Sequence, residues 1–286
     1  MITPKTQYLA RSLLLALAMA ASASPALAQS ATAWSEGYNS KTRLLAGQRA
    51  EGGGSRITVG VEIALAAGWK TYWRAPGDSG GVPPNFDLSQ SKNLASATVH
   101  YPAPHRMRDP TGDAVGYKGG VVFPIDVAAA DPAKPLELVV VVEYGICREI
   151  CVPAEAKLTL MLAPGALGQL PAEVGAALGK VPRPADKRRP TDPELKGLTA
   201  VLTGDKPMLL IEAAFPGGGQ GADVFVEASE GVYLPLPKRT ASAAGAPLRF
   251  EVDLATGVDP AELKGKTLTV TLVSAAGQSE AARTID

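Results

Sequence analysis

Apolar residues alternate with polar or small residues along several short segments in the first half of this 286-residue chain. Within residues 55–65 the apolar residues Ile57, Val59, Val61, Ile63 and Leu65 occupy every second position from 57 onward. A period of two with β-branched residues is typical of a half-buried strand. The same pattern recurs in residues 121–127, 136–144 and 158–162. These segments predict β-strands.

The second half shows similar alternation, and helical periodicity is rare throughout. The alternating segments there are residues 209–211, 224–226, 250–254 and 268–272. Turn-forming stretches rich in glycine and proline separate the predicted strands. One short helix is predicted over residues 168–180, with Pro171 near its first turn. Many short strands with such punctuation favour a β-sandwich, followed by a second, smaller all-β domain.

The N-terminus has the pattern of a secretory signal peptide. Lys5 and Arg11 precede an apolar run from Leu13 to Ala20, and Ala26-Leu27-Ala28 forms an A-x-A cleavage site. A polar, proline-spaced segment at 182–190 is the best candidate for a linker, the alternative being an ordered loop along the first domain. The predicted units are a signal peptide (1–28), a first β-domain (29–165), a helix and linker (166–197) and a second all-β domain (198–286).

Charge and hydropathy narrow the possible partners. Two of the 28 basic residues lie in the predicted signal peptide, which leaves 26 against 28 acidic residues. Nucleic-acid binding needs a basic face, so no nucleic-acid partner is expected. After the signal peptide no apolar run approaches the ~18–20 residues that span a bilayer. We therefore expect a mature periplasmic protein without a transmembrane segment.

Cys147 and Cys151 are the two cysteines of the chain, with three residues between them. Closing a loop of about five residues stabilises a fold by about 2 kcal/mol, against about 4.7 kcal/mol for a 100-residue loop. Such a clamp adds little to domains that have their own cores. A close pair instead suits reversible exchange, because the second thiol can resolve a mixed disulfide. We favour a redox couple and keep an inert disulfide as the alternative.

The residues around the pair indicate a hairpin. The strand predicted at 136–144 leads into it, and Pro153 follows it, so we expect the cysteines at the end of a hairpin on the rim of the sheet. Arg148 lies beside Cys147 and would help to stabilise a thiolate, whereas Glu149 opposes this effect.

Five motifs in a fixed order point to a known family. They are Gly-Trp-Lys-Thr-Tyr-Trp-Arg at 68–74, Pro-Gly-Asp-Ser-Gly at 76–80, Tyr-Pro-Ala-Pro at 101–104, Gly-Tyr before Val-Val-Phe-Pro at 116–124, and the cysteine segment at 144–153. With these motifs residues 34–163 resemble the N-terminal periplasmic domain of the DsbD thiol:disulfide reductases, and more closely the ScsB-type proteins of copper-stress loci. The resemblance implies an immunoglobulin-like fold whose cysteines shuttle electrons to periplasmic partners without a cofactor.

The resemblance also implies roles for single residues. Cys151 corresponds to the thiol that forms the mixed disulfide, and Cys147 to the thiol that resolves it. Residues 107–113 match the cap loop that shields the pair in the family, but they lack the family's aromatic residue, so shielding by Met107 or Pro110 would be looser. The predicted supporting residues are Tyr72, Met107, Asp109, Pro110, Tyr144, Arg148 and Pro153.

The leading hypothesis is therefore thiol–disulfide interchange through Cys147 and Cys151. The sequence shows neither the membrane electron conduit nor the thioredoxin-like domain of full-length DsbD. We therefore expect a separate membrane conduit and periplasmic thioredoxin-like proteins as partners. Two alternatives stay open: a copper-binding protein that uses the thiols with His105 and Met107, which are soft ligands for Cu(I), and a structural β adaptor with an inert disulfide.

Overall fold

The computed structural model of the protein describes residues 31–47, 56–108, 112–164, 169–243 and 245–286, the side chain of Glu230 excepted. The predicted signal peptide, Asp109 and Pro110 lie outside these residues. Strands predominate in the described ranges, which confirms the all-β prediction. None of the helices found there combines the length and the apolar character needed to cross a bilayer.

Eleven strands of the described chain build a first sandwich of two antiparallel sheets. In chain order they are β1 (Ser35–Gly37), β2 (Ser40–Leu45), β3 (Arg56–Leu65), β4 (Lys70–Gly77), β5 (Asn85–Asp87), β6 (Leu94–Val99), β7 (His105–Met107), β8 (Ala114–Lys118), β9 (Gly120–Ala129), β10 (Leu136–Cys147) and β11 (Cys151–Leu162). One sheet has the order β1-β2-β3-β9-β6. The other has the order β11-β10-β4-β8-β7, and β5 also pairs with β10.

The alternating apolar residues of both sheets meet in one core. Alternate residues in the middle of β3 and of β10 are fully buried there, for example Val61 and Val140, whereas Ile57 and Leu65 at the ends of β3 are partly buried. Full burial of such a side chain contributes roughly 1.5–3 kcal/mol. Trp73 of β4 is buried in the same core. The period of two in the sequence thus identified the inner face of these strands correctly.

The remaining strands form a second sandwich. They are β12 (Arg183–Pro184), β13 (Glu194–Val201), β14 (Met208–Ala214), β15 (Asp223–Ala228), β16 (Lys238–Thr240), β17 (Leu248–Asp253), β18 (Thr267–Ser274) and β19 (Gly277–Thr284). The two sheets have the orders β12-β19-β18-β15 and β13-β14-β17-β16. Their facing residues form a separate core that includes Leu209, Phe250 and Val270.

The helix α1 (Ala172–Leu178) and the segment after it connect the two sandwiches. Pro171 precedes the first turn, and the buried Val174 packs against β3 so closely that a Cβ at Gly60 would lie 2.7 Å from its Cγ2 atom. The candidate linker is attached to the second sandwich, because β12 pairs in parallel with β19. The division into domains at the predicted boundaries stays a prediction.

The two sandwiches contact each other through the site-bearing sheet. The ring of Trp73 lies 5.7 Å from that of Phe225, and Phe225 belongs to the first core. Arg74 forms ion pairs with Glu227 and Glu280. Burial opposes the charge of Arg74, but the two carboxylates outweigh this effect and raise its pKa. The interface therefore includes both apolar packing and charge pairing next to β4.

Candidate functional site

The strands β10 and β11 form the hairpin that the sequence indicated. Their register pairs every residue from Leu136 opposite Leu162 to Cys147 opposite Cys151. The backbone N–H of Arg148 donates to the carbonyl of Ile150 at 3.2 Å across the three-residue loop. A disulfide joins the two cysteines, whose Cα atoms are 4.2 Å apart.

Cys147 lies in a small apolar cluster outside the main core. Side chains along β10 alternate between the two faces of the sheet. Tyr144 and Ile146 therefore belong to the main core, while Cys147 belongs to this separate cluster. Tyr72 and Met107 are the large members of the cluster, and Ala114 completes it. Cys147 is only 2% exposed, and Met107 only 3%. Met107 thus packs in the same buried cluster as Cys147, and its role in shielding the pair stays a prediction.

The hydroxyl of Tyr72 reaches both sulfur atoms. It donates a hydrogen bond to Sγ of Cys147 at 2.7 Å and lies 3.3 Å from Sγ of Cys151. The hydroxyl of Thr71 donates to the carbonyl of Gly145 at 2.8 Å, which fixes β4 against β10. A donor aimed at sulfur favours the charged form, so Tyr72 is placed to stabilise a thiolate once the disulfide is reduced.

A glycine-rich loop at residues 77–82 covers the ring of Tyr72. Gly81 has a φ of +142°, and a Cβ added there would lie 2.4 Å from the ring. Only glycine therefore fits this contact. At the end of the loop the carbonyl of Val82 accepts a hydrogen bond from the N–H of Gly145 at 3.0 Å. The loop is thus tied to β10 two residues before Cys147.

The surroundings of Cys151 are open. Cys151 is exposed, and Pro153 on the same edge strand is exposed as well. The neighbouring Ile150 is 62% exposed, and Val82 is also exposed. An accessible sulfur with apolar side chains beside it can meet another protein, whereas the sulfur of Cys147 cannot do so in this arrangement.

The side chains of two predicted supporting residues, Tyr144 and Arg148, are directed away from the disulfide. Tyr144 lies on the opposite face of β10, where its hydroxyl donates to Oγ of Ser40 at 2.9 Å and lies 3.1 Å from Oγ1 of Thr42. It therefore joins the two sheets of the sandwich. Arg148 is exposed; its side chain passes Gly68, and its guanidinium lies 4.0 Å from the Glu149 carboxylate. Asp109 and Pro110 are outside the part of the chain that the structure describes.

The proposed copper ligands do not converge. His105 is exposed and lines a surface pocket with Lys118 and Glu173, whereas Met107 packs into the Cys147 cluster. Across the described ranges, no three His, Cys, Asp or Glu side chains are grouped as a metal site.

Sequence reasoning missed Gly81, Val82 and Ala114 as parts of the site. The stretch rich in glycine and proline at residues 75–81 has the composition of a loop, but β4 continues to Gly77 and the remainder of the stretch covers Tyr72. The available signal was the run of glycines directly after an aromatic strand, since glycine often marks a close backbone approach. Ala114 gave no such signal, because a small apolar residue is common at any buried position.

Comparison with known proteins agrees with this geometry. Residues 41–163 match the family model described as thiol:disulfide interchange protein DsbD, N-terminal. Residues 180–286 match a domain family of unknown function, DUF8393. The crystal structure of the N-terminal periplasmic domain of ScsB from Proteus mirabilis is similar in fold, with a TM-score of 0.66 and 22% sequence identity over 90% of this chain and 98% of that chain. No curated protein sequence matches the chain.

Proposed function

We propose that this protein passes electrons between protein partners through Cys147 and Cys151, because residues 41–163 match the model of the DsbD N-terminal family of thiol:disulfide interchange proteins. One observation carries the proposal, namely the unequal exposure of two cysteine residues that are bonded to each other. The exposed Cys151 is available to a partner, while the buried Cys147 stays within reach to complete the exchange.

The exchange proceeds in two balanced steps. In the reduced protein the Cys151 thiolate attacks a partner disulfide, which forms a mixed disulfide and releases one partner sulfur as a thiolate. The Cys147 thiolate then attacks Sγ of Cys151, forms the internal disulfide and releases the second partner thiolate. Two electrons pass to the partner, which takes up two protons as its thiolates become thiols. The same two steps in reverse reduce the protein again, with a donor dithiol as the source of electrons.

The hairpin register supports the second step. Cys147 lies directly opposite Cys151, so the resolving sulfur needs no movement of the backbone to reach the mixed disulfide. The Tyr72 hydroxyl lies within 3.3 Å of both sulfurs and can follow the negative charge from one to the other.

The proposed setting is the periplasm. The predicted signal peptide would export the chain, and the similar fold is that of a periplasmic domain. The proposed partners are thioredoxin-like proteins of that compartment, with a separate membrane electron conduit as the donor. An exposed edge strand that carries the reactive sulfur suits a partner with its own accessible disulfide.

Trapping tests the proposal directly. A Cys147→Ala variant should accumulate mixed disulfides through Cys151 when the protein is expressed in the periplasm. These adducts are measured as reducible high-mass bands on non-reducing gels. The matched Cys151→Ala variant should trap far less, because Cys147 is buried, and the double variant gives the background. Equal trapping by both single variants, or none by either, would contradict the proposal.

The reduction potential separates exchange from an inert disulfide. Structural disulfides of secreted proteins lie below about −300 mV. We expect glutathione buffers to bring the wild-type pair to a measurable mixture of dithiol and disulfide. A disulfide with a potential far below about −300 mV would stay oxidised in such buffers. Failure to reduce the pair in such a buffer would favour the inert alternative.

A further inference from the structure

The second sandwich binds the glycine-rich loop through a single carboxylate. Oδ1 of Asp78 accepts a hydrogen bond from the hydroxyl of Tyr233 at 2.8 Å and another from the backbone N–H of Leu236 at 2.9 Å. Burial, assisted by the hydrogen bond and charge of Asp78, raises the pKa of Tyr233 to about 12. The hydroxyl therefore stays protonated near neutral pH and remains a donor to Asp78.

The second sandwich also binds strand β7 through the side chain of Arg106. Arg106 of β7 donates to both carboxylate oxygens of Asp223 at 2.9 and 2.8 Å and to the carbonyl of Pro237 at 2.9 Å. Its Nη1 atom also lies 3.7 Å from the carboxylate of Asp113. The next residue, Met107, belongs to the Cys147 cluster. The second sandwich thus contacts the elements that line the disulfide at two separate points.

Residues 77–82 connect Asp78 with the ring of Tyr72 through a few short contacts. The N–H of Ser79 donates to the carbonyl of Asp113 at 3.3 Å, and the backbone of Gly112 packs on Asp78. Gly81, three residues after Asp78, lies against the ring of Tyr72. Direct contacts therefore connect Tyr233 of the second sandwich with the hydroxyl that bonds the sulfurs.

We propose that Asp78 is a positioning residue through which the second sandwich holds residues 77–82 against Tyr72 and so sets the reactivity of the cysteine pair. The inference rests on the proposed exchange function. It gives the second sandwich, whose family has no assigned function, a role at the redox site. Release of the loop frees the ring of Tyr72, which removes a fixed hydrogen-bond donor from the thiolate that forms on reduction.

The test uses the full-length mature protein with Asp78→Ala, Tyr233→Phe and both changes together. Alkylation of Cys151 by iodoacetamide is followed against pH in the Cys147→Ala background. Asp78→Ala should slow alkylation at pH 7 on the order of fivefold, since a hydrogen bond to a charged sulfur is weakened. Tyr233→Phe should slow it about twofold, because Leu236 still binds Asp78. The double variant should equal Asp78→Ala alone, because both changes remove the same interaction.

Glutathione equilibria provide an independent measurement. With both cysteines present, Asp78→Ala should shift the equilibrium toward the disulfide by a similar factor, on the order of fivefold. Glu280→Gln is the matched control, because it weakens a contact between the sandwiches that does not involve residues 77–82. It should leave the alkylation profile and the glutathione equilibrium unchanged.

Unchanged alkylation and glutathione equilibrium in Asp78→Ala, with lowered thermal stability, would overturn the inference and leave Asp78 as a purely structural contact. Should that variant fail to fold, Tyr233→Phe decides alone, because Tyr233 is 46% exposed and its ring is retained. These measurements need no partner protein. A failure of partner trapping would therefore refute the exchange function without affecting them, and the two proposals fail separately.

Discussion

Cys147 and Cys151 are bonded to each other across the end of one hairpin, yet their surroundings differ. Cys147 is covered by Tyr72 and Met107, whereas Cys151 is exposed beside Ile150. The order of the strands explains the difference. β10 has β4 as its inner neighbour, so side chains from β4 and β7 reach Cys147, while β11 is the edge of the sheet. Two sulfurs that are bonded to each other thereby lie in environments of different accessibility.

The comparison shows how one disulfide can have an outer and an inner sulfur. An edge strand leaves its backbone and side chains open to other chains. A strand inside the sheet is closed on both sides, so its sulfur reacts chiefly with its own partner. Any change that equalises the two environments should reduce the selectivity of the proposed exchange.

The largest effect is expected from uncovering Cys147 with Met107→Ala. Loss of this buried side chain should lower the free energy of unfolding by about 3 kcal/mol, as buried Met→Ala changes cost roughly 2–5 kcal/mol. In the Cys151→Ala background it should also speed alkylation of Cys147. Urea unfolding and alkylation rates measure the two effects. The control Met161→Ala, at a side chain 59% exposed, should change stability by less than about 0.5 kcal/mol. Unaltered alkylation of Cys147 would show that Met107 is not its cover.

A somewhat smaller effect is expected from Gly81→Ala. The new methyl group would overlap the ring of Tyr72, and overpacking costs about 1–3 kcal/mol. Gly80→Ala is a matched control, because Gly80 has a φ of +70° with nothing within 4 Å of the added Cβ. The control should show only the backbone cost of about 1–2 kcal/mol. Equal unfolding free energies for the two variants would argue against close packing of the loop on Tyr72.

A smaller effect on stability is expected from Tyr72→Phe, which removes the hydroxyl that contacts both sulfurs. The lost hydrogen bond should lower the unfolding free energy by about 1 kcal/mol. Tyr117→Phe is the control, because the Tyr117 hydroxyl is buried and donates to the carbonyl of Pro102 away from the disulfide. Both variants should lose similar stability, but only Tyr72→Phe should move the pH midpoint of Cys151 alkylation upward. A shift in both variants would remove the special role of Tyr72.

The smallest effect on stability is expected from Ile150→Ser on the exposed side. The unfolding free energy should change by no more than about 0.5 kcal/mol, because the side chain is mostly in water. In the Cys147→Ala background, however, the yield of mixed disulfides with periplasmic partners should fall, while alkylation by a small reagent should not. Met161→Ser controls for the loss of any exposed apolar residue on this hairpin. Equal yields would exclude Ile150 from partner contact.

Much of the fold was predictable because alternation marks a strand with one buried face. β3, β9 and β10 show this period over most of their length and were identified, whereas only residues 158–162 of β11 were assigned to a strand. β4 was not assigned, because its residues are buried on both faces near Lys70–Trp73 and glycine and proline follow. Tyr144 illustrates the other limit. Its neighbours in sequence suggested a place near the cysteines, but its position on β10 directs it to the opposite sheet.

The sequence by itself determined the all-β architecture and the hairpin that holds Cys147 near Cys151. These follow from local alternation and from a loop of three residues, both of which depend on neighbours along the chain. Only the tertiary structure decided which sulfur is covered and which is open. That outcome depends on Tyr72 and Met107, which lie far from Cys147 in the chain and reach it through strand pairing and through a loop that Asp78 ties to the second sandwich.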